Sequence, residues 1–164
     1  SLVRAVSSAK PKVADYAFTT LHPSLGVVDY SENSSFVISD IPGLIAGASE
    51  GVGLGIQFLK HLSRTKVIVQ IVDVYDKNPM EVITEIRELS KEITNYDPGL
   101  IKKVKWLALN KIDLINTNQL EELKGELGRE FQDNLRIYCI SAAKKEGTQQ
   151  LMRDIGEFME TSDE

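Results

Sequence analysis

A chain of 164 residues with 42% hydrophobic and 26% charged side chains has the make-up of one soluble globular domain, large enough to bury a real core. Its 24 acidic against 19 basic residues give a formal charge of −5, which argues against a surface specialised for nucleic acid or anionic membrane, because both need clustered Lys and Arg. The longest apolar stretch, Val67 to Val74, is broken by Gln70 and Asp73 and is too short to span a bilayer; the single Cys139 has no partner for a disulfide, which suits a reducing cytoplasm.

The chain opens in mid-pattern. Leu2, Val3 and Val6 are spaced as on a helix face, with no N-cap or strand before them. Lys10 to Pro23 holds two prolines and no sustained period, which predicts a long irregular segment of the kind that is functional or mobile. Ser24 to Tyr30 and Ser35 to Asp40 read as strands joined by the polar turn Ser31-Glu-Asn-Ser34. Five of the eleven glycines then fall between Gly43 and Gly55, a loop able to hold two conformations.

Helical spacing resumes at Ile56, Leu59 and Leu62, and Val67 to Asp73 reads as a buried strand. Pro79 suits the first turn of a helix whose Val82, Ile86, Leu89 and Ile93 form one stripe, stopped by Asp97-Pro-Gly99. A strand at Val104 to Leu109 precedes an acidic amphipathic segment, Asn118 to Gln132, weakened by Gly125 and Gly128. A strand at Leu135 to Ile140 and a helix carrying Leu151, Ile155, Phe158 and Met159 close the chain. The pattern is α/β: a mostly parallel sheet, helices on both faces, and one antiparallel edge hairpin.

Two tetrapeptides carry the chemistry. Asp40-Ile-Pro-Gly43 and Asn110-Lys-Ile-Asp113 each follow an apolar, strand-like run, the position where open α/β sheets bind ligands. A carboxylate at Asp113 can accept both the N1–H and the exocyclic amino group of guanine, whereas adenine would present a lone pair to it. Asn110 can brace the loop and approach the other base edge, and the aliphatic stem of Lys111 can cover the base face. Asp40 can hold Mg²⁺ through a water, and the Gly43 N–H can reach a terminal phosphate unobstructed. Ser141-Ala-Ala143, small residues after the last strand, let backbone N–H groups approach a carbonyl such as guanine O6. Taken singly, each has a plain alternative: a capped turn for Asn110 to Asp113, a common strand-to-turn sequence for Asp40 to Gly43, an ordinary loop for Ser141 to Ala143. Thr19 and Thr20 offer hydroxyls for the metal, and His22 and His61 lack a metal-ligand partner at useful spacing.

Phe18-Thr-Thr-Leu-His22, the run from Asp40-Ile-Pro-Gly43 through Gly55 with Phe58-Leu-Lys-His61, Asn110-Lys-Ile-Asp113 and Ser141-Ala-Ala143 together resemble the G domain of the bacterial Obg (CgtA) GTPases over nearly the whole chain. The resemblance implies a P-loop NTPase G domain over residues 1–164 that binds GTP and GDP with Mg²⁺. It implies Thr20 as a direct Mg²⁺ ligand, with Phe18, Thr19, Leu21 and His22 around it. Asp40 (through a water), Ile41, Pro42 and Gly43 form the second switch. Asn110, Lys111, Ile112 and Asp113 read guanine, and Ser141, Ala142 and Ala143 support the base. It further implies slow GTP hydrolysis in a cytoplasmic monomer acting with the large ribosomal subunit; a nucleotide-gated docking module with incidental hydrolysis is the alternative.

Two departures from the G-domain pattern bear on chemistry. The Gly-x-x-x-x-Gly-Lys-Ser/Thr phosphate loop is absent from these residues, so it and the strand before it are expected upstream of Ser1, between the strand ending at Asp40 and that ending at Asp73. Without that strand the sheet would be split, leaving two apolar edges. Leu44 stands where Ras-like proteins carry the Gln that orients the attacking water. Hydrolysis then needs help from elsewhere, such as K⁺ bound through an upstream Asn or a ribosomal contact, and no catalytic residue is assigned.

Overall fold

The computed structural model describes residues 2–13, 24–40, 64–132 and 134–162. Helix α1, Leu2–Val6, buries Leu2 and Val3. Strands β2 (Ser24–Ser31) and β3 (Ser34–Ser39) form the hairpin, with Val27 opposite Val37 and Val28 opposite Phe36. Asn33 turns it at φ 63°, a left-handed conformation that Asn tolerates better than most residues. The Lys10 to Pro23 stretch, expected to be irregular, contains a short strand β1, Lys12–Val13, paired antiparallel with Leu25 and Ser24 of β2. Two residues give no alternation to read; their conformation comes from the neighbouring strand.

The parallel sheet has the order β4 (Val69–Asp73), β5 (Trp106–Asn110), β6 (Arg136–Cys139). Asp73 is in register with Asn110, so β4 and β5 end together. Among the described residues no ladder joins β3 to β4, and the antiparallel and parallel strands form two three-stranded groups. What unites them is the core. Val28, Phe36 and Ile38 of the hairpin share one cluster with Val69, Trp106, Ala108 and Ile140, sealed by α1 and by Leu151, Met152 and Ile155 of the last helix, α4 (Thr148–Ser162). On the other side Val72, Leu107 and Leu109 pack against Val82, Ile83 and Ile86 of α2 (Pro79–Tyr96) and Leu123 and Leu127 of α3 (Thr117–Phe131). Helices therefore cover both faces.

Both long helices of the second layer begin in a capping box. Asn78 and Glu81 exchange side-chain and backbone hydrogen bonds at the start of α2, and Asn116 and Gln119 do so at the start of α3. Each cap contributes on the order of 1 kcal/mol. For α3 this offsets part of the cost of Gly125 and Gly128, which lie on its exposed side while Leu123 and Leu127 are buried. Gly156 has a different role: a Cβ there would stand 2.5 Å from the Tyr30 ring, so its absence lets α4 lie against β2.

Trp106, 2% exposed, is the centre of the first cluster. Tyr138 stacks on it at 5.6 Å, Phe158 meets it edge-on at 5.7 Å, and the Arg136 guanidinium lies 4.7 Å from the ring centre. The Tyr138 hydroxyl donates to Asp154 at 2.6 Å, and burial, reinforced by that hydrogen bond, pushes its pKa up to about 12. Because the unfolded phenol ionises near pH 10, this raised folded pKa contributes stability that is complete below pH 10 and is lost as pH rises from 10 towards 12. Tyr138→Phe should make the alkaline decline in thermal stability shallower, while Tyr30, also raised by its bond to Glu160, keeps part of it. Coincident alkaline limbs for the two proteins would contradict this.

Candidate functional site

The loop that leaves β5 is tied to the strands on both sides of it. Asn110, the last residue of β5, donates from Nδ2 to Asp73 Oδ1 at 3.0 Å and accepts at Oδ1 from the Ala142 N–H at 3.0 Å. One side chain thus links the end of β4, the end of β5 and the loop after β6. Backbone bonds reinforce the link: Val74 N–H to the Asn110 carbonyl at 3.0 Å, and Ile112 N–H to the Ile140 carbonyl at 3.3 Å.

Lys111 then turns the chain in the left-handed region, φ 70° and ψ 32°. A non-glycine residue there costs roughly 1–2 kcal/mol. Its Nζ pairs with Asp73 Oδ2 at 3.1 Å, and since both side chains are nearly half exposed the pair adds about 0–1 kcal/mol. Ile112–Leu114 form a 3-10 turn that carries Asp113. Asp113 is half-buried, and among the described residues its carboxylate has no hydrogen-bond or ion-pair partner. A fixed loop thus presents one uncommitted acceptor pair.

The loop after β6 is equally constrained. Ser141, 1% exposed, exchanges backbone hydrogen bonds with Glu146 at 3.0 Å, and its hydroxyl accepts from the Lys144 N–H at 3.2 Å. Gly147 closes this turn at φ 72°, where a Cβ would come within 2.5 Å of the Cys139 carbonyl. Ala142 is buried and Ala143 exposed; the Ala142 N–H is the one directed at Asn110. Burial pushes the neighbouring Cys139 thiol up, away from nucleophilic use.

Asp40 follows β3. Its Oδ1 accepts the Ser24 N–H at 2.6 Å, and its own N–H donates to the Ser24 carbonyl at 3.2 Å. One carboxylate oxygen therefore clamps the strand end, and the other is left without a partner among the described residues. Among the described residues no three His, Cys, Asp or Glu side chains gather as a metal site by themselves. The residues Phe18, Thr19, Thr20, Leu21, His22, Ile41, Pro42 and Gly43 lie outside the described residues, as do Leu44, His61 and the rest of the glycine-rich loop.

Asp73 was not foreseen as part of the site. The available signal was the shared layout of two apolar runs, each ending in a polar residue, which parallel pairing brings side by side.

An α/β layer sandwich with its parallel strands ending at an Asn-Lys-x-Asp turn is the G-domain fold of the P-loop GTPases. This chain belongs to the family described as 50S ribosome-binding GTPase, whose model matches residues 1–111. That match ends at Lys111, so Asp113 and Ser141 to Ala143 lie beyond it.

Solved structures give the same fold at low identity. Nucleolar GTP-binding protein 1 from Plasmodium falciparum is 18% identical with a TM-score of 0.66, covering 99% of this chain and 81% of its own. The G domain of the T. maritima FeoB iron transporter is 21% identical with a TM-score of 0.62, covering 96% of this chain and 89% of its own. The cytosolic domain of that transporter in apo form scores 0.63 at 18% identity; this chain spans 57% of it. No helix among the described residues is long and apolar enough to cross a membrane.

Proposed function

We infer that this chain is the nucleotide-binding part of an Obg-type GTPase, a cytoplasmic monomer that takes GTP and GDP, hydrolyses GTP slowly and works on the large ribosomal subunit. The observation that carries the guanine reading is the loop bound to both neighbouring strands through Asn110, with the Asp113 carboxylate left unpartnered among the described residues. A rigid carboxylate of this kind selects a base edge with two donors, because any other base leaves it unpaired at a cost of about 1–3 kcal/mol.

On the phosphate side the reading assigns Mg²⁺ to Thr20 directly and to the free oxygen of Asp40 through a water. The ion would supply charge neutralisation at the phosphates. It assigns the Gly-x-x-x-x-Gly-Lys-Ser/Thr loop and its strand to the space between β3 and β4, which share no ladder among the described residues. Phe18 to His22 and Ile41 to Gly43 are the two switch segments, and Ser141 to Ala143 back the base. The partner follows the family's description as ribosome-binding.

With Leu44 in the water-orienting position, the full-length protein should release phosphate from GTP slowly over many turnovers and faster when large ribosomal subunits are added. Phosphate release that is absent both with and without subunits, alongside GTP-dependent subunit binding, would instead favour a docking module whose hydrolysis is incidental.

A further inference from the structure

We propose that Asp73 is a positioning residue for base selection: it sets the Asn110-Lys-Ile-Asp113 loop from the β4 side, by holding the Asn110 amide on one carboxylate oxygen and the Lys111 ammonium on the other. This rests on the guanine reading of Asp113 and adds a residue to it.

Three observations converge on Asp73. Parallel register places it directly beside Asn110, so its carboxylate stands at the root of the loop. Its two oxygens are divided between consecutive loop residues, Asn110 at 3.0 Å and Lys111 at 3.1 Å. Lys111 is also where the backbone enters the left-handed region, so the ion pair acts at the turn that aims Asp113. On the β6 side, Ala142 and Ile140 hold the same loop by backbone groups. Asp73 is the side-chain counterpart on the β4 side.

The consequence for selectivity follows from geometry. With the Asn110 amide pinned by both Asp73 and Ala142, its rotamer is fixed, and the second Nδ2 hydrogen remains for a ligand. Fixing Lys111 Nζ on Asp73 fixes the path of its aliphatic stem, the part assigned to the base face. Removing the carboxylate releases Lys111 Nζ and one of the two holds on the Asn110 amide, while Ala142 and the backbone bonds of Val74 and Ile112 remain, so the loop loosens on its β4 side and Asp113 meets two donors less well. A displacement that small costs more for a ligand with both donors than for one with a single donor.

The test compares GDP with IDP, whose hypoxanthine base lacks the exocyclic amino group, on the full-length protein and on Asp73→Ala, Asp73→Asn and Lys111→Met. Asp73→Ala should weaken GDP binding roughly tenfold, IDP by less, and so compress the GDP-over-IDP preference. Asp73→Asn, which keeps an acceptor for Asn110 but not the charge for Lys111, should fall between. Lys111→Met keeps the apolar stem and loses the charge, and adding Asp73→Ala to it should weaken GDP by less than the product of the single effects. A lower melting temperature with an unchanged GDP-to-IDP ratio, or strictly multiplicative effects in that pair, would overturn the role of Asp73. Failure of the unmodified protein to prefer GDP over IDP would instead overturn the guanine reading on which it stands.

Discussion

Replacing Asp113 by Asn should exchange the base preference of the protein from guanine to xanthine. In the proposed site the carboxylate would accept from the N1–H and the exocyclic amino group of guanine; an Asn amide turns one of those acceptors into a donor, which suits the C2 carbonyl of xanthine and opposes the guanine amino group. For guanine one hydrogen bond becomes a clash of two donors and the other loses its charged acceptor, a cost of about 3 kcal/mol or more, so GDP affinity should fall at least roughly a hundredfold. XDP affinity should rise in the same variant. The fold should tolerate the change, because Asp113 makes no contact among the described residues that holds the loop; Asn110, Lys111 and Ile112 do that work. Competition of GDP and XDP for a fluorescent nucleotide measures both shifts, and unchanged guanine selectivity would remove Asp113 from base recognition.

Trp106→Ala is expected to have the largest effect on stability. Its indole is buried between Tyr138 and Phe158 with Arg136 over its face, and it belongs to a cluster that joins the hairpin, the parallel sheet, α1 and α4. Truncation removes the buried area and leaves a cavity between the sheet and the last helix, at about 3–5 kcal/mol. Against a total of roughly 5–15 kcal/mol, that is a large part of what keeps the domain folded. Arg136, at the start of β6, would also lose one of its two aromatic partners and keep Phe158. Urea unfolding followed by far-UV circular dichroism measures the change without relying on the only tryptophan, and a loss under about 1 kcal/mol would show that the cluster does not carry the core as argued.

The parts of this fold that could be read from the chain are those whose sequence period matches their burial. Phe36 and Ile38 alternate with exposed Ser35 and Val37, and of the α2 stripe Val82, Ile86 and Ile93 lie in the core while Leu89 is half-buried. Pro79 and Asp97-Pro-Gly99 bracket that helix as their backbone preferences dictate. Strand β1 was not legible, since Lys12 and Val13 become a strand by pairing with β2 and not by any preference of their own. Gly125 and Gly128 weaken α3 as a local signal; the Asn116–Gln119 box offsets part of their cost, and burial of Leu123 and Leu127 holds the helix in place.

The site divides in the same way. Asn110, Asp113 and Ser141 were legible from residue type and place after a strand. Asp73 was not, because its meaning depends on a neighbour 37 residues away that only parallel pairing supplies. Asp40 was legible as a polar residue at a strand end, yet its clamp on the Ser24 N–H is a contact between chain segments that no local pattern announces.

The most direct test of the central claim is to follow backbone amide resonances of the full-length protein as GDP and Mg²⁺ are added. Shifts are expected at Lys111 to Leu114 and at Ser141 to Ala143, two segments joined by the Asn110 side chain and by the Ile112 N–H to the Ile140 carbonyl. GDP binding at saturation with both segments unmoved would contradict it, and would place the base somewhere other than at the ends of β5 and β6.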